Sequence, residues 1–297
     1  MTTLPLFLPR RQGMAVSALL GGAVLWGLFW WPLKALNAAG IHGSFVQAVA
    51  YGLPALVLLP WVFRTPPRRG QAGLLLLIAL LGGWANASFA TSLTYGSVVR
   101  VLLLFYLAPV WTILAARLFL GEAFTRLRLT ALALALAGLA LTLGGPEILA
   151  APLSAIDLLA LSSGLAFALN NVAIRAGHGL PDAARAVAVF AGCAVISLGF
   201  MNWNGQPVPA LDTPHLLALA ALALVWVLPG TLATFYGVAR LDAGKAAILL
   251  LAELVVGVVS AVIVGGETLT PQEAVGGALI LAAAVIEART ESAGAFA

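Results

Sequence analysis

Long apolar stretches separated by short breaks are the main pattern of this chain. Charged or turn-rich breaks divide its 297 residues into ten stretches, most of them about 20 residues long. A helix needs about 20 mostly apolar residues to cross the hydrocarbon core of a bilayer. The pattern therefore predicts an all-α integral membrane protein with ten transmembrane helices. The predicted spans are 13–34, 43–63, 71–94, 98–118, 128–145, 154–175, 184–203, 214–239, 243–265 and 272–287.

Composition supports a membrane setting. Hydrophobic residues make up 62% of the chain and charged residues 9%, whereas soluble domains carry about 25% charged residues. The net charge of +4 is no sign of nucleic-acid binding, because most basic residues lie beside spans, where they orient the chain. The first stretch follows Arg10 and Arg11, but it is long, rich in tryptophan and lacks a small-residue cleavage site. We interpret it as a retained first helix.

The basic residues also predict the topology. With the N-terminus in the cytoplasm, thirteen of the fifteen basic residues lie on the cytoplasmic side, and Lys34 and Arg100 remain for the other side. This asymmetry favours ten spans with both termini inside. The predicted outer loops carry acidic residues instead, namely Glu147, Asp212, Glu267 and Glu273.

The two halves of the chain resemble each other. The segment "YLAPVWTILAARLFLGE" (106–122) aligns with "LAELVVGVVSAVIVGGE" (251–267) at a constant offset of 145, which places Glu122 over Glu267. We predict two repeats, residues 1–148 and 149–297. Because each repeat holds five spans, an odd number, the second enters the membrane inverted. Inverted repeats are the usual build of secondary transporters, with the substrate site near the midplane.

These features resemble the EamA-type branch of the drug/metabolite transporter superfamily. The supporting segments are "LGE" and "GGE" after the fourth helix of each repeat, "FYLAPVW" (105–111), "LAELVV" (251–256) and the opening "LWGLFWWPLK" (25–34). Leu254 stands where that family often has proline. The density of aromatic residues is similar to that of bacterial aromatic amino acid exporters. The resemblance implies a bacterial inner membrane location and export of the substrate.

Glu253 is the deepest charged residue of the predicted spans. Burying a charge at a helix centre costs about 2.5–3.5 kcal/mol on insertion scales. One interpretation is a carboxylate that lines a cavity, binds the substrate ammonium group or carries a proton. The other is a structural group bonded to a neighbouring helix, and the resemblance, which extends over unlike substrates, favours structure or coupling over substrate choice.

Other polar and aromatic residues in the spans are candidates for the substrate site. Asn170 and Asn171 either bind an amino-acid carboxylate or amine, or bond a neighbouring helix. Lys34 either snorkels outward, or has a role in gating or in binding a carboxylate. The tryptophans either form an interfacial belt or wall a cavity. The full predicted set is Trp26, Trp30, Lys34, Trp84, Ser88, Thr91, Tyr106, Phe167, Asn170, Asn171, Tyr236 and Glu253.

Several activities are not indicated. "DAGKAA" (242–247) lacks the first glycine and the final hydroxyl of a phosphate-binding loop. The three histidines lie at span ends, and no nucleophile and base are paired within a span, so we predict no enzyme, metal or cofactor. We expect a transporter of aromatic or neutral amino acids that works by alternating access and contacts the bilayer as a monomer. The alternative is a transporter of other small solutes: cationic drugs, nucleobases or nucleotide-sugars.

Overall fold

The structure is a computed structural model. It describes residues 8–108, 110–111, 114, 118, 126–142, 153–176, 179–238, 240–241 and 243–294. Within these ranges all regular structure is helical, with one short 3-10 turn at Arg69–Gln71 and one π-helical turn at Leu222–Val227. The α-helices are α1 Leu8–Gly27, α2 Trp30–Ala38, α3 Gly43–Arg64, α4 Ala72–Tyr95, α5 Val98–Phe105, α6 Arg126–Thr142, α7 Ala155–Ala176, α8 Asp182–Trp203, α9 Thr213–Ala221, α10 Leu228–Val238, α11 Ala243–Ile263 and α12 Pro271–Gly294.

These helices lie where the apolar pattern predicts spans. Among the described residues, six helical stretches are long and apolar enough to cross a membrane. Three shorter apolar helices, Leu129–Thr142, Leu249–Ile263 and Pro271–Ile286, fall on further predicted spans. With α5 they make ten helical stretches in the described parts of the chain. The chain is therefore a multi-pass membrane protein that contacts the lipid bilayer, as predicted.

Two spans are discontinuous, and their interruptions meet. In the first span, the Phe29 N–H donates to the Trp26 carbonyl in a tight turn between α1 and α2. The Leu25 carbonyl accepts instead from the Trp226 indole N–H, at 2.7 Å. Trp226 belongs to the π-helical turn that joins α9 to α10, just before Pro229. Proline lacks an N–H and disturbs the helix around it, so prolines 32 and 229 account for both interruptions.

The helices pack in pairs that relate the two halves of the chain. The two second spans, α3 and α8, lie against each other, as do the two fifth spans, α6 and α12. The first span packs through α1 on α10 and α11. Correspondingly, α7 packs on α4 and α5, which hold the equivalent places in the first half. Exchanging the halves thus reproduces the main contacts, although the predicted boundary at 148/149 lies outside the described residues.

The crossing of α4 and α8 depends on glycine. A Cβ atom at Gly192 would lie 1.9 Å from the Ala79 carbonyl oxygen, and one at Gly83 would lie 2.5 Å from the Gly192 carbonyl carbon. Such approaches are typical of membrane helices that associate through small residues. The two backbones therefore touch at this level and hold α4 and α8 in one fixed arrangement.

Candidate substrate site

A group of buried and half-buried polar side chains connects α3, α4 and α8. The Tyr51 hydroxyl donates to Asn86 Oδ1 at 3.1 Å. The Gln47 side-chain amide lies 3.3 Å from the Thr91 hydroxyl and 3.3 Å from the Ser197 hydroxyl. We call these five residues, Gln47, Tyr51, Asn86, Thr91 and Ser197, the polar centre. It joins helices from both halves of the chain.

The sequence places Gln47 and Tyr51 on one side of α3. Residues four apart share a helix face, and both side chains are buried, with 0% and 1% of their surface exposed. Sequence reasoning missed both residues. A usable signal existed, because Gln47 is the only amide or charged side chain between residues 43 and 63 and a tyrosine follows it at helical spacing.

Aromatic rings extend from the polar centre toward the interruption of the first span. Trp26 and Phe29 meet edge to face with 5.3 Å between ring centroids. Phe29 meets Tyr51 at 6.4 Å, and Tyr51 meets Phe190 at 5.9 Å. Edge-to-face contacts use the positive ring edge against the negative ring face. The Tyr51 hydroxyl thus stands between an aromatic row and a set of amides and hydroxyls.

Glu253 faces this region from α11. The Tyr106 hydroxyl donates to the Leu250 carbonyl at 3.3 Å and also interacts with the Glu253 carboxyl group. Tyr51 is close enough to Glu253 to feel its charge. A Cβ atom at Gly27 would lie 2.7 Å from the Glu253 carbonyl oxygen. The backbone of α11 therefore touches α1 at Glu253, the residue that the sequence singles out.

Four predicted site residues, Trp26, Thr91, Tyr106 and Glu253, lie in or beside this region. Several others make contacts typical of helix packing. The Trp30 indole donates to Ser260 Oγ at 2.9 Å, and the Trp84 indole donates to Ser162 Oγ at 3.1 Å. Ser88 is buried and donates to the Trp84 carbonyl of its own helix at 2.6 Å. Trp84 and Thr91 share a stripe of α4, but they are two turns apart and meet different neighbours.

The remaining predicted residues do not take part in the hydrogen bonds of the polar centre. Phe167 is 39% exposed and packs on Phe105, with 5.4 Å between centroids. Asn170 is buried, and its Oδ1 atom has no hydrogen-bond partner. Asn171 is half-buried on the same helix. The Tyr236 ring is covered by the Arg240 guanidinium at 3.8 Å. The orphaned Asn170 oxygen is a buried acceptor with unused hydrogen-bonding capacity that a solute would satisfy.

Lys34 lies at a second polar group, at one end of the bundle. Its ammonium donates to the Gly96 carbonyl at 2.9 Å and to Glu267 Oε1 at 3.2 Å. Glu267 also accepts from the backbone N–H groups of Val98 and Val99, at 2.8 and 3.1 Å, and from the Ser97 hydroxyl at 2.9 Å. The Glu267 carboxylate therefore binds the N-terminus of α5, where helix N–H groups are otherwise unsatisfied.

The electrostatics at Glu267 keep it ionised. Burial raises the pKa of its carboxyl group, but the hydrogen bonds from Val98, Val99 and Ser97 and the charge of Lys34 lower it by more. The net result is a pKa below the ordinary value of 4.5. At neutral pH, Glu267 is therefore a carboxylate that accepts from every one of these donors.

Arg100 completes this end of the bundle. Its Nε and Nη2 atoms donate to the two oxygens of Asp157 at 2.7 and 3.1 Å, and Nη1 donates to the Thr142 carbonyl at 3.4 Å. A two-pronged contact of this kind is the strongest form of arginine–carboxylate pairing. We call Lys34, Ser97, Arg100, Asp157 and Glu267 the charged clasp. The aligned Glu122 lies outside the described residues.

Comparison with a family model identifies the family of this chain. The model of the EamA-like transporter family matches this chain twice, over residues 13–144 and 154–287. The chain belongs to the EamA-like transporter family. It therefore has the two-repeat architecture of an EamA transporter, and the predicted resemblance is confirmed at the level of the family. No curated protein matches the chain.

A solved structure supports the fold of this EamA transporter. A protein known from a crystal structure is similar to it over 92% of this chain and 97% of that chain, with a TM-score of 0.59. The two sequences are 20% identical. At this identity the likeness concerns the fold alone.

Proposed function

We propose that this EamA transporter is a secondary transporter that exports aromatic or other neutral amino acids across a bacterial inner membrane by alternating access. The polar centre is the observation that carries the proposal. Buried hydrogen bonds between membrane helices contribute about 0.6 kcal/mol each, which is a weak reason to place five polar side chains among apolar helices. A site that binds and releases a polar solute is a stronger reason.

The inverted arrangement of the two repeats is supported by the charged clasp. Lys34 lies at the C-terminal end of the first span and Asp157 at the N-terminal end of the sixth. Both belong to the clasp at one end of the bundle, which favours opposite directions for these two equivalent helices. Two copies of one unit in opposite orientations supply two arrangements of similar energy, as alternating access needs.

The chemistry of the centre suits an amphipathic solute that carries an amine. The rings of Trp26, Phe29 and Tyr51 offer apolar contact and negative ring faces to a cation. Glu253 offers a carboxylate to an ammonium group, and the amides of Gln47 and Asn86 offer donors to a carboxylate. An aromatic amino acid uses all three features. Export direction and the inner membrane location rest on the resemblance to aromatic amino acid exporters.

A cationic amphipathic drug is the second candidate. Among the described residues of the polar centre and its aromatic row, none is basic, while Glu253 stands beside them. An acid next to aromatic rings favours a positive charge without a carboxylate. The two candidates differ in whether Gln47 and Asn86 bind a substrate carboxylate.

Transport by the purified protein in liposomes tests the proposal. We expect counterflow of radiolabelled phenylalanine, tyrosine and tryptophan, and none of a nucleobase. Tyr51→Phe removes the hydroxyl bonded to Asn86 and should lower transport about fivefold, as expected for one hydrogen bond. Tyr95→Phe makes the same chemical change on the exposed end of α4, where the hydroxyl accepts a long hydrogen bond from the Gly43 N–H at 3.4 Å, and should leave transport unchanged.

Two results would contradict this function. Transport of tetraphenylphosphonium without transport of any amino acid would favour the cationic-drug candidate. Equal rates for wild type, Tyr51→Phe and Tyr95→Phe would mean that the polar centre is not the substrate site.

A further inference from the structure

The charged clasp joins the two repeats at one end of the bundle. Lys34, Ser97 and Arg100 belong to the first repeat, and Asp157 and Glu267 belong to the second. The ion pairs Lys34–Glu267 and Arg100–Asp157 both cross between repeats, at 3.2 and 2.7 Å. Two cations and two carboxylates give a clasp without net charge. Every charge in it is paired with a residue of the other repeat.

Two residues of the clasp, Ser97 and Glu267, cap the N-terminus of α5. Ser97 already acts as the N-cap of its own helix by accepting from the Arg100 N–H at 3.4 Å. Glu267 adds a second cap from a loop that is 168 residues away in sequence from Val99. Helices usually take their caps from residues next to them in the chain. The start of α5 therefore depends on contact between the two repeats.

The charged groups of the clasp are only partly buried. The side chains of Lys34 and Glu267 are 33% and 16% exposed, and those of Arg100 and Asp157 are 31% and 8% exposed. Charges that separate need water to replace their partners, because unpaired charges in hydrocarbon are costly. Water that already reaches these side chains lowers the cost of separating them.

Trp30 connects the face of α11 that carries Glu253 to the clasp. Ser260 lies seven residues after Glu253 and therefore on the same face of α11, whereas Glu267 lies in the loop after the helix ends at Ile263. The Trp30 indole bonds Ser260, and its ring reaches Gly265, two residues before Glu267. Trp30 and Lys34 are four residues apart on α2 and share a face. Movement of α2 away from α11 therefore breaks both contacts together.

We infer that the charged clasp is a gate, which closes the end of the pathway between the two repeats and separates once in each transport cycle. This inference rests on the proposed alternating access, but it does not depend on which solute is carried. The structure has this gate closed, with α2 and α5 both bonded to Glu267. When the gate opens, Trp30 leaves Ser260, and the face of α11 from Ser260 toward Glu253 becomes accessible to water.

Labelling of a cysteine beneath the clasp tests this gate. Cys193 is the single cysteine of the chain, so Cys193→Ser combined with Ser260→Cys gives one thiol beneath Trp30. A charged, membrane-impermeant thiol reagent is added to the face that carries Lys34, in right-side-out membrane vesicles. Glu267→Gln and Lys34→Met should each raise the labelling rate about fivefold or more, as expected when a partly buried ion pair that favours the closed state is lost.

Glu273→Gln is the matched control. Glu273 lies six residues after Glu267, and among the described residues its carboxylate accepts hydrogen bonds from Thr270 of its own loop, while its charge acts on Arg100 without a hydrogen bond. We therefore expect its variant to change the labelling rate much less than Glu267→Gln does. Lys34→Met leaves the backbone hydrogen bonds of Glu267 in place, and it keeps the test available if Glu267→Gln does not fold.

Unchanged labelling in Lys34→Met would overturn the gate, as would equal acceleration in Glu273→Gln. The assay contains no substrate. A failed amino-acid transport assay with accelerated labelling would therefore reject the proposed substrate and leave the gate in place.

Discussion

The charged clasp and the polar centre satisfy their polar atoms in opposite ways. The clasp pairs full charges at 2.7 and 3.2 Å and leaves parts of them exposed. The polar centre uses neutral amides and hydroxyls at 3.1 to 3.3 Å, and Gln47, Tyr51 and Ser197 are almost completely buried. The free-energy cost of separating paired charges is low only where water can reach them. The end of the bundle can therefore open by hydration, whereas the centre opens only if a solute or water replaces its internal hydrogen bonds.

This contrast assigns different tasks to the two regions. Neutral groups that bond one another weakly can exchange partners with a solute at small cost. Paired charges hold two surfaces together until both are hydrated. A transporter needs the first property at its binding site and the second at its gates.

The largest predicted effect concerns the crossing of α4 and α8, the helices that carry part of the polar centre. Gly192→Ala should prevent correct assembly of α4 and α8, because the new Cβ atom would overlap the Ala79 carbonyl. We expect a loss of at least about 3 kcal/mol, at the upper end of overpacking, measured as loss of folded protein on size-exclusion chromatography in detergent. Gly199→Ala on the same helix meets nothing within 4 Å and should behave as wild type. Normal folding of Gly192→Ala would show that the two helices are not fixed here.

The second largest predicted effect concerns Glu253. Glu253→Gln keeps the size of the side chain and removes its charge, and it should lower transport between about tenfold and a hundredfold if the charge binds the substrate amine. If Glu253 also carries a proton, the pH dependence of transport should disappear in Glu253→Gln. Both are measured in liposomes, with Glu273→Gln as the control. Transport by Glu253→Gln at the wild-type rate and with unchanged pH dependence would exclude proton coupling at this residue.

The smallest predicted effect is that of pH: closure of the clasp should hardly change near neutral pH. The pKa of Glu267 is lowered, so its contribution is complete above the ordinary carboxyl pKa of 4.5 and is lost only as the pH falls through the lower folded value. The groups around it are Lys34, Arg100 and Asp157, with Glu273 close enough to Arg100 to act on it. The thiolate is the reactive form of a cysteine, so labelling is compared at each pH with that of a small free thiol. The labelling rate at Ser260→Cys divided by that reference rate should change less than about twofold between pH 8 and pH 6. A rise in this ratio at pH 6 would assign the gate to another titratable group.

The sequence predicts the helices better than it predicts the contacts between them. Ten apolar stretches, two interrupting prolines and the repeat at an offset of 145 are visible because they are local or periodic. Glu253 stands out because one charge lies in an apolar run. The Lys34–Glu267 pair joins residues 233 apart, so only the packing of the spans brings them together. Lys34 was expected to snorkel or to bind a carboxylate, and in the structure it binds a carboxylate of the protein itself.

The polar centre was missed for a related reason. Gln47 and Tyr51 lie on a span whose other residues are apolar, and their importance depends on the hydroxyls and amides of α4 and α8 that face them. Conversely, Trp84 and Ser88 belong to the predicted site, and they share a helix face with Thr91. Their hydrogen bonds are typical of helix packing, since the neighbours of a helix change along its length.

The distance across the clasp tests the central claim, that the two repeats separate and rejoin at this end. Spin labels at Ala39→Cys and Thr268→Cys, both exposed beside the clasp, in a Cys193→Ser background report this distance by double electron–electron resonance in nanodiscs. We predict a short distance for the closed gate and a longer second population that grows in Glu267→Gln but not in Glu273→Gln. One narrow distance, unchanged by Glu267→Gln and by the addition of any transported solute, would contradict the account.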